Sequence, residues 1–441
     1  KSIHCVLMID SLKAMIINID NYLKFSSFFM FTLLTFHVTI IFFIAFIYDY
    51  SINDPGFILI KMWKEVLALS GVIISVPLLF RSNLKLKGVH NLDIFILLIC
   101  GLGLIYVMMS PYQVRAVWSY RSLFGIFLFY LFGRVQNFSL QDFYKLLLLL
   151  FTLAVLAAII GIGQVEFFKE EFFFYLYGIR SDAGSITNYY DKLRAQGTFV
   201  TPHELGLYLI TVVFASPFLF SLFKKTSAKV LTTLGIIIIL VGLAYTMSRS
   251  SFVIFGCGLI VFSFLSKRNL KLTAMVLVIL IPTFIMMGAV ENFSSAYEGR
   301  DSSTSIHVRL IQEAIVKILE IPQGIGLGKI GIVVRRFDPS AMQYEGEFFN
   351  LSIQLGLLGA FLYLILNGLV VLTCFSIYFT KTYSMEFRYL AIFICMVCIG
   401  MTLRDLILPR DTFNYSFGWF IIGAFYSAKD RFINSEVLKE T

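Results

Sequence analysis

The stretch Leu146-Leu-Leu-Leu-Leu-Phe-Thr-Leu-Ala-Val-Leu-Ala-Ala-Ile-Ile-Gly-Ile162 carries no charge and a single hydroxyl. An apolar run of this length is read as a helix crossing a bilayer. Similar runs lie at 28–47, 57–80, 92–109, 117–132, 144–162, 205–223, 230–246, 251–265, 272–290, 348–375, 389–403 and 413–426. Residues 1–24 place Leu12, Met15, Ile16, Ile19 and Leu23 at helical spacing, which predicts an interfacial helix. The expected fold is therefore an all-α integral membrane protein with about twelve transmembrane helices in a single domain, 1–441. Composition agrees: 58% of residues are hydrophobic and 14% charged, well below the charge of a soluble domain. The net charge of +9 is explained by cytosolic loop bias and an anion site, so nucleic acid is not an expected partner.

Short loops give the orientation. With a cytosolic N-terminus, the cytosolic turns carry Arg81, Lys85 and Lys87, then Arg134 and Lys145, then Lys224, Lys225 and Lys229. Lys267, Arg268 and Lys271 follow, and then Lys381 and Arg388. The opposite turn at 49–54 has no Lys or Arg, which is the positive-inside pattern. An even number of spans returns the C-terminus to the cytosol. Two long loops, 164–202 and 291–347, then lie outside, and long loops of this kind carry function. No internal repeat and no cleavable signal peptide is read.

The chemistry expected of these loops is cationic. Arg180 and Arg194 lie in the first loop, Arg309, Arg335 and Arg336 in the second, and Arg404 and Arg410 in the last outer turn. Arg249 stands in a tight turn between two apolar runs, where an unpartnered charge is costly and marks function by default. The guanidinium fork matches phosphate oxygens in a bidentate way, so gathered arginines suit a lipid-linked diphosphate. Residues 305–320 predict an amphipathic helix ending at Pro322, with Arg309 and Glu313 spaced to pair. Tyr344-Glu345-Gly346-Glu347 offers two carboxylates, either of which could act as a general base.

Other patterns are set aside. Gly324-Ile-Gly326-Leu-Gly328-Lys-Ile-Gly331 has no strand–helix setting for a dinucleotide and is read as a compact glycine turn. Cys395 and Cys398 sit in an apolar run and are read as core packing. The histidines lack ligand spacing, and there is no Asp-x-Asp and no Walker motif, so no metal and no cofactor is expected. Lys61 and Glu65 are spaced to pair and, with Lys64, are read as structural.

Arg194-Ala-Gln-Gly-Thr-Phe-Val-Thr-Pro-His-Glu-Leu-Gly206 resembles the segment that opens a span in the O-antigen ligase/polymerase family, with His203 in place of the usual Asn. Thr246-Met-Ser-Arg-Ser-Ser251 resembles that family's Ser-Arg turn. Arg309, Pro322 with Gly324-Ile-Gly326, and Gly356-Leu-Leu-Gly359 match the remainder in order, from about residue 190 to 360. The resemblance implies a C-type glycosyltransferase fold in the bacterial inner membrane, with the active site on the periplasmic face. It implies metal-free handling of glycans on undecaprenyl diphosphate, bound by Arg249 and Arg309. Ligases of the family carry a His-Asn pair before this Gly-x-x-Gly, and here no histidine lies within 346–356. The expectation is thus a surface-polysaccharide polymerase acting on lipid-linked donor and acceptor oligosaccharides. Its catalytic residues would be Glu345, Arg249 and Arg309. Arg180, Arg194, His203, Arg335, Arg336, Tyr344, Glu347 and Arg404 would bind substrate. Membrane lipids are further partners, and a chain-length-regulating co-polymerase is left open. The alternatives are an O-antigen ligase and, in another class, a lipid-linked oligosaccharide flippase. Against transport, the two halves show no matching broken spans.

Overall fold

The computed structural model describes residues 2–36, 62–81, 89–168, 188–189, 192–199, 201–265, 302–408 and 412–440. Helices α1 (Ser2–Thr35), α2 (Trp63–Arg81), α3 (Asn91–Met109), α4 (Gln113–Phe124), α5 (Ile126–Val135) and α6 (Leu140–Gly163) come first. A π turn (Gln164–Phe168) extends α6, and a short antiparallel ladder pairs β1 (Asn188–Tyr189) with β2 (Lys192–Leu193). Then follow α7 (Pro202–Phe214), α8 (Ser216–Leu222), α9 (Thr226–Tyr245), α10 (Arg249–Leu265) and α11 (Ser302–Glu320). The chain closes with α12 (Glu347–Phe379), α13 (Met385–Asp405) and α14 (Thr412–Glu440).

Apart from that short ladder the regular structure of the described residues is helical, and its long apolar helices make this a multi-pass membrane protein. Among the described residues six helical segments are long and apolar enough to cross a bilayer: α3, α6 with its π turn, α7 with α8, α9, α12 and α13. The pair α4 and α5, bent by 48°, makes a seventh. The expected span 272–290 and part of 28–47 and 57–80 fall outside the described residues, as does Arg410.

Local signals set the helix starts. Ser139 and Asp142 form a reciprocal capping box at α6, and Thr201 caps α7 with Pro202 in its first turn. Hydroxyls inside the bundle bond back to their own helix, as Ser27 does to Leu23 O and Thr35 to Phe31 O, which pairs these polar groups inside the bundle.

At the centre stands α14. Each of its residues from 413 to 428 is buried. It meets α5 backbone to backbone: a Cβ on Gly133 would fall 2.1 Å from Phe420 O, and one on Gly423 2.1 Å from Tyr130 O. Small residues of this kind are what let membrane helices pack closely. Aromatic edges complete the contact, with Phe127 and Trp419 rings 4.8 Å apart and Phe31 and Phe420 rings 4.9 Å apart.

The two ends of the bundle differ. At one end, Asp430 joins His90 Nε2 at 2.6 Å and Arg134 Nη1 at 2.7 Å, while Tyr130 donates to Asp93 at 2.6 Å. At the other, Ala195 N donates to Tyr245 O, Asn414 Nδ2 to Glu204 O, Tyr415 OH to Asp405, and Ser110 Oγ to Leu327 O. These bonds gather the ends of α3, α9 and α13 with the starts of α7 and α14, and the loop after α11, into one face, here the site end.

Several expectations need correcting. The run 117–132 is not one straight helix but α4 and α5, bent at Gly125. The run 205–223 changes helix at Ala215. The run 348–375 is helical except at Gly356, where φ is 73°. Spans are therefore broken in both halves, although a mid-helix bend and a single-residue break are not a matched pair. Glu65 pairs with Arg121 at 2.7 Å and Lys64 at 3.5 Å, while Lys61 lies outside the described residues. Cys395 and Cys398 are buried free thiols, and Cys398 Sγ sits 3.4 Å from Asn367 Oδ1.

Candidate functional site

The first part of the site is the segment 194–199, whose residues are all buried. A non-helical segment inside a bundle must have its peptide groups paired. Gln164 does this from the end of α6: its Oε1 accepts from Gly197 N at 2.8 Å and Gln196 N at 3.2 Å, and its Nε2 donates to Gly197 O at 2.7 Å. Ala195 N donates to Tyr245 O at 2.9 Å, and Thr198 Oγ1 to Thr35 O at 2.6 Å. Arg194, only 6% exposed, is drawn to the turn after α9, where its Nε donates to Thr246 O at 3.0 Å. The Gln196 side-chain amide is fully buried and makes no hydrogen bond among the described residues.

That turn is the second part. Met247 holds a left-handed backbone, φ 46°, which reverses the chain so that α10 starts at Arg249. Such a conformation costs an L-residue roughly 1–2 kcal/mol. Ser248, fully buried, has its Oγ 2.8 Å from His203 Nδ1 and 2.8 Å from Ser251 Oγ. Ser250 Oγ lies 3.3 Å from the same imidazole nitrogen. Gly206 permits this approach, since a Cβ there would stand 2.4 Å from Ser251 Oγ. Arg194, His203 and Arg249 thus share one turn, at the N-terminal ends of α7 and α10. Helix N-termini favour anions, and two guanidinium groups with hydroxyls strengthen that preference.

The third part is the loop before α12. Pro322 and Gly324 fit into the break at Gly356: Leu357 N donates to Pro322 O at 2.8 Å, Ile325 N to Ile353 O at 2.9 Å and Gly326 N to Gln354 O at 3.0 Å. Gly356 needs its positive φ here, and a Cβ on it would fall 2.4 Å from Pro322 O. The Pro-x-Gly-x-Gly and Gly-x-x-Gly motifs are two halves of this one junction. Asn350 then fixes the acidic turn, its Nδ2 donating to Tyr344 O at 3.0 Å and Gly346 O at 3.1 Å. Glu345 is half-buried, Glu347 buried in the first turn of α12. Tyr344 is buried against the amphipathic helix α11, and that burial pushes its phenol pKa up.

The acidic turn packs on the end of α13. A Cβ on Gly346 would meet the Asp405 and Leu406 carbonyls at 2.7 Å. Arg404 and Asp405 are both buried there, and the Asp405 carboxylate accepts the hydroxyls of Tyr363 and Tyr415. Neighbouring residues of α14 bridge the parts, Asn414 bonding Glu204 O beside His203 and Tyr415 bonding Asp405.

Other expected residues stand apart. Arg309 lies on α11 with its side chain 68% exposed, 3.6 Å from Glu313 as the spacing predicts, and no described contact joins it to Arg249. Arg335 is exposed in a 3-10 turn that Arg336 shares. Arg180 lies outside the described residues. Among the described residues no three His, Cys, Asp or Glu side chains converge as a metal site. Gln164, Thr246, Ser248, Ser250, Asn350 and Asp405 were missed by sequence reasoning. The Ser-Arg-Ser-Ser repetition is the one signal that could have marked Ser248 and Ser250. No known protein family matches the chain, and neither does any curated protein.

Proposed function

We propose that the protein is a bacterial membrane glycosyltransferase that joins undecaprenyl-diphosphate-linked repeat units, a surface-polysaccharide polymerase. One observation carries the reading: buried Arg194 meets the Thr246–Ser248 turn that also holds His203 and leads into Arg249. This is a cationic, hydroxyl-rich cradle at two helix starts, suited to a diphosphate. Arg194 takes the part that sequence assigned to Arg309. The resemblance to the O-antigen ligase/polymerase family supports the same chemistry and implies a site on the periplasmic face.

In this mechanism an acceptor sugar hydroxyl attacks the anomeric carbon of the donor glycan. Its proton passes to Glu345, whose partial exposure suits contact with substrate better than the buried Glu347. The bond from the anomeric carbon to the diphosphate breaks, and the leaving charge rests on Arg249 and Arg194. Removing a donor to developing charge costs about 2.7 kcal/mol, roughly a hundredfold in rate.

The test is reconstitution with lipid-linked repeat units. A ladder of products that Glu345→Gln abolishes and Arg249→Ala slows about a hundredfold supports the polymerase. Transfer to lipid A core and no ladder means a ligase. The second reading is lipid-linked oligosaccharide transport, which the unmatched breaks at Gly125 and Gly356 do not by themselves support. Movement of intact donor across vesicles, without new glycosidic bonds, would replace the first reading with that one.

A further inference from the structure

The amphipathic helix α11 buries one apolar side and leaves a second uncovered. Ala314 and Ile318 pack with Ile330, Tyr344 and Ile353, from the following loop and α12. At about 100° per residue, the side chains of α11 sort into three sectors around its axis. The first holds those two with the half-buried Leu310 and Ile311. Next round the helix come Ile315, Val308, Leu319 and Val316, all exposed, with Gln312 among them. Arg309, Glu320 and Glu313 make up the third sector, also exposed. A helix lying on its own protein in water keeps the remaining side polar. Here that side is divided, and its apolar part runs from Val308 to Leu319, which is 69% exposed. An exposed apolar face rimmed by charge marks a protein or membrane contact.

The neighbouring spans say which. Helix α12 has 33 residues, about 50 Å of helix, whereas the hydrocarbon core of a bilayer is about 30 Å thick. None of its residues from 347 to 356 is exposed, and exposure begins after the Gly356 break with Leu357, Leu358, Phe361 and Leu364. The part from 357 to 379 is about 34 Å long and is enough to cross by itself. Lipid contact on α12 therefore starts at the break, and there Leu357 N donates to Pro322 O at 2.8 Å. The next carbonyl, Gln323 O, accepts from the Tyr106 hydroxyl near the end of α3, where Ile105, Met108 and Met109 are exposed. Two spans thus hold the end of α11 at the level where their own lipid-facing surfaces stop. Leu319 precedes Pro322 by less than one helical turn, so the exposed apolar sector starts at that level.

We propose that α11 is a membrane-surface helix whose Val308, Ile315, Val316 and Leu319 sit in the headgroup region of the leaflet at the site end. Its partner is the phospholipid of the bilayer that the spans cross. The outermost acyl carbons cover the apolar sector, at a depth of about 5–10 Å. The same seating turns Arg309, Glu313 and Glu320 to water, which accounts for Arg309 standing apart from the cradle. The leaflet then supports the Pro322–Gly326 loop from outside, as α12 does from within. This seating holds whether or not the protein is a polymerase.

The test is tryptophan fluorescence of the full chain in phosphatidylcholine vesicles. The lipid is either plain or brominated along the upper acyl chain, where bromine quenches on contact. A tryptophan is placed by Leu319→Trp, by Val308→Trp or, as the water-facing control, by Glu313→Trp, and the emission added over wild type is followed. All three positions are exposed, so none enters the core, and Ile315→Trp replaces either apolar variant that does not fold. Leu319→Trp and Val308→Trp are expected to lose most of the added emission to brominated lipid, and Glu313→Trp little of it. Acrylamide in the water should quench in the reverse order. Free access of acrylamide to all three, with no loss to brominated lipid, overturns the proposal. Quenching by lipid at Leu319→Trp without Val308→Trp also overturns it, because the helix then touches the leaflet only at its end. Shielding of both from both quenchers means that a second copy or another protein covers the face, and overturns lipid as its partner.

Discussion

At the scale of single residues, the cradle depends on His203 being held by hydroxyls. Ser248 and Ser250 both approach Nδ1. Gln can keep a polar contact to Ser248, while Ala removes it and leaves Ser248 with its serine neighbours only, at a cost of about 1 kcal/mol. We therefore expect His203→Ala to lower the melting temperature in detergent and His203→Gln to lower it less. Equal melting of the two would remove His203 from the turn's support. Met247 gives a second prediction. A β-branched residue tolerates its φ of 46° poorly, so Met247→Ile should destabilise by about 1 kcal/mol or more, and Met247→Gly should not. Arg194 and Arg249 were named from the sequence because a charge beside an apolar run stands out, and His203 only through the family resemblance. Gln164 and Ser248 were not, because a lone Gln or Ser near a span ordinarily satisfies itself on its own helix.

At the scale of elements, the junction of the Pro322–Gly326 loop with the broken α12 sets the acidic turn. Gly356→Ala would combine an unfavourable φ with a Cβ 2.4 Å from Pro322 O. It should detach the loop, and protease cleavage after Arg or Lys in 329–336 should then speed up. Unchanged cleavage would mean the loop is held by other contacts. A third hold is Arg115, whose Nη1 donates to Asp338 Oδ2 at 3.1 Å. The hydrogen bond from Ser340 first, with Arg115 aiding, draws the exposed Asp338 carboxyl below its ordinary pKa. A lowered folded-state pKa stabilises above the unfolded value of about 4 and is lost as pH falls through the folded one. Loop protection should thus weaken under acid, and Asp338→Asn should show no such pH dependence. The helix α11 was legible from its stripe, and its Arg309–Glu313 pair from spacing. The break at Gly356 was not, because a glycine inside an apolar run with no proline reads as uninterrupted helix.

At the scale of the molecule, the membrane class was legible from composition alone, because nothing else explains so many uncharged runs. The layout around α14 was not, because hydropathy reports how apolar a segment is and not which helix it touches. The crossing of Gly133 and Gly423 gives the molecular prediction. Gly423→Leu must force α5 and α14 apart, and overpacking of this kind costs about 1–3 kcal/mol or more. Purified Gly423→Leu should melt earlier than Gly368→Leu, since a Cβ at Gly368 meets nothing within 4 Å. The buried position of α14 also bears on how the protein is made. This helix carries Asn414, Ser416, Ser427 and Asp430, and it is not among those apolar enough to cross alone. During synthesis it follows α5 and α13, so its partners are already in the bilayer when it leaves the ribosome. Its integration is then governed less by partition into lipid than by capture in a vacant slot among its own earlier helices.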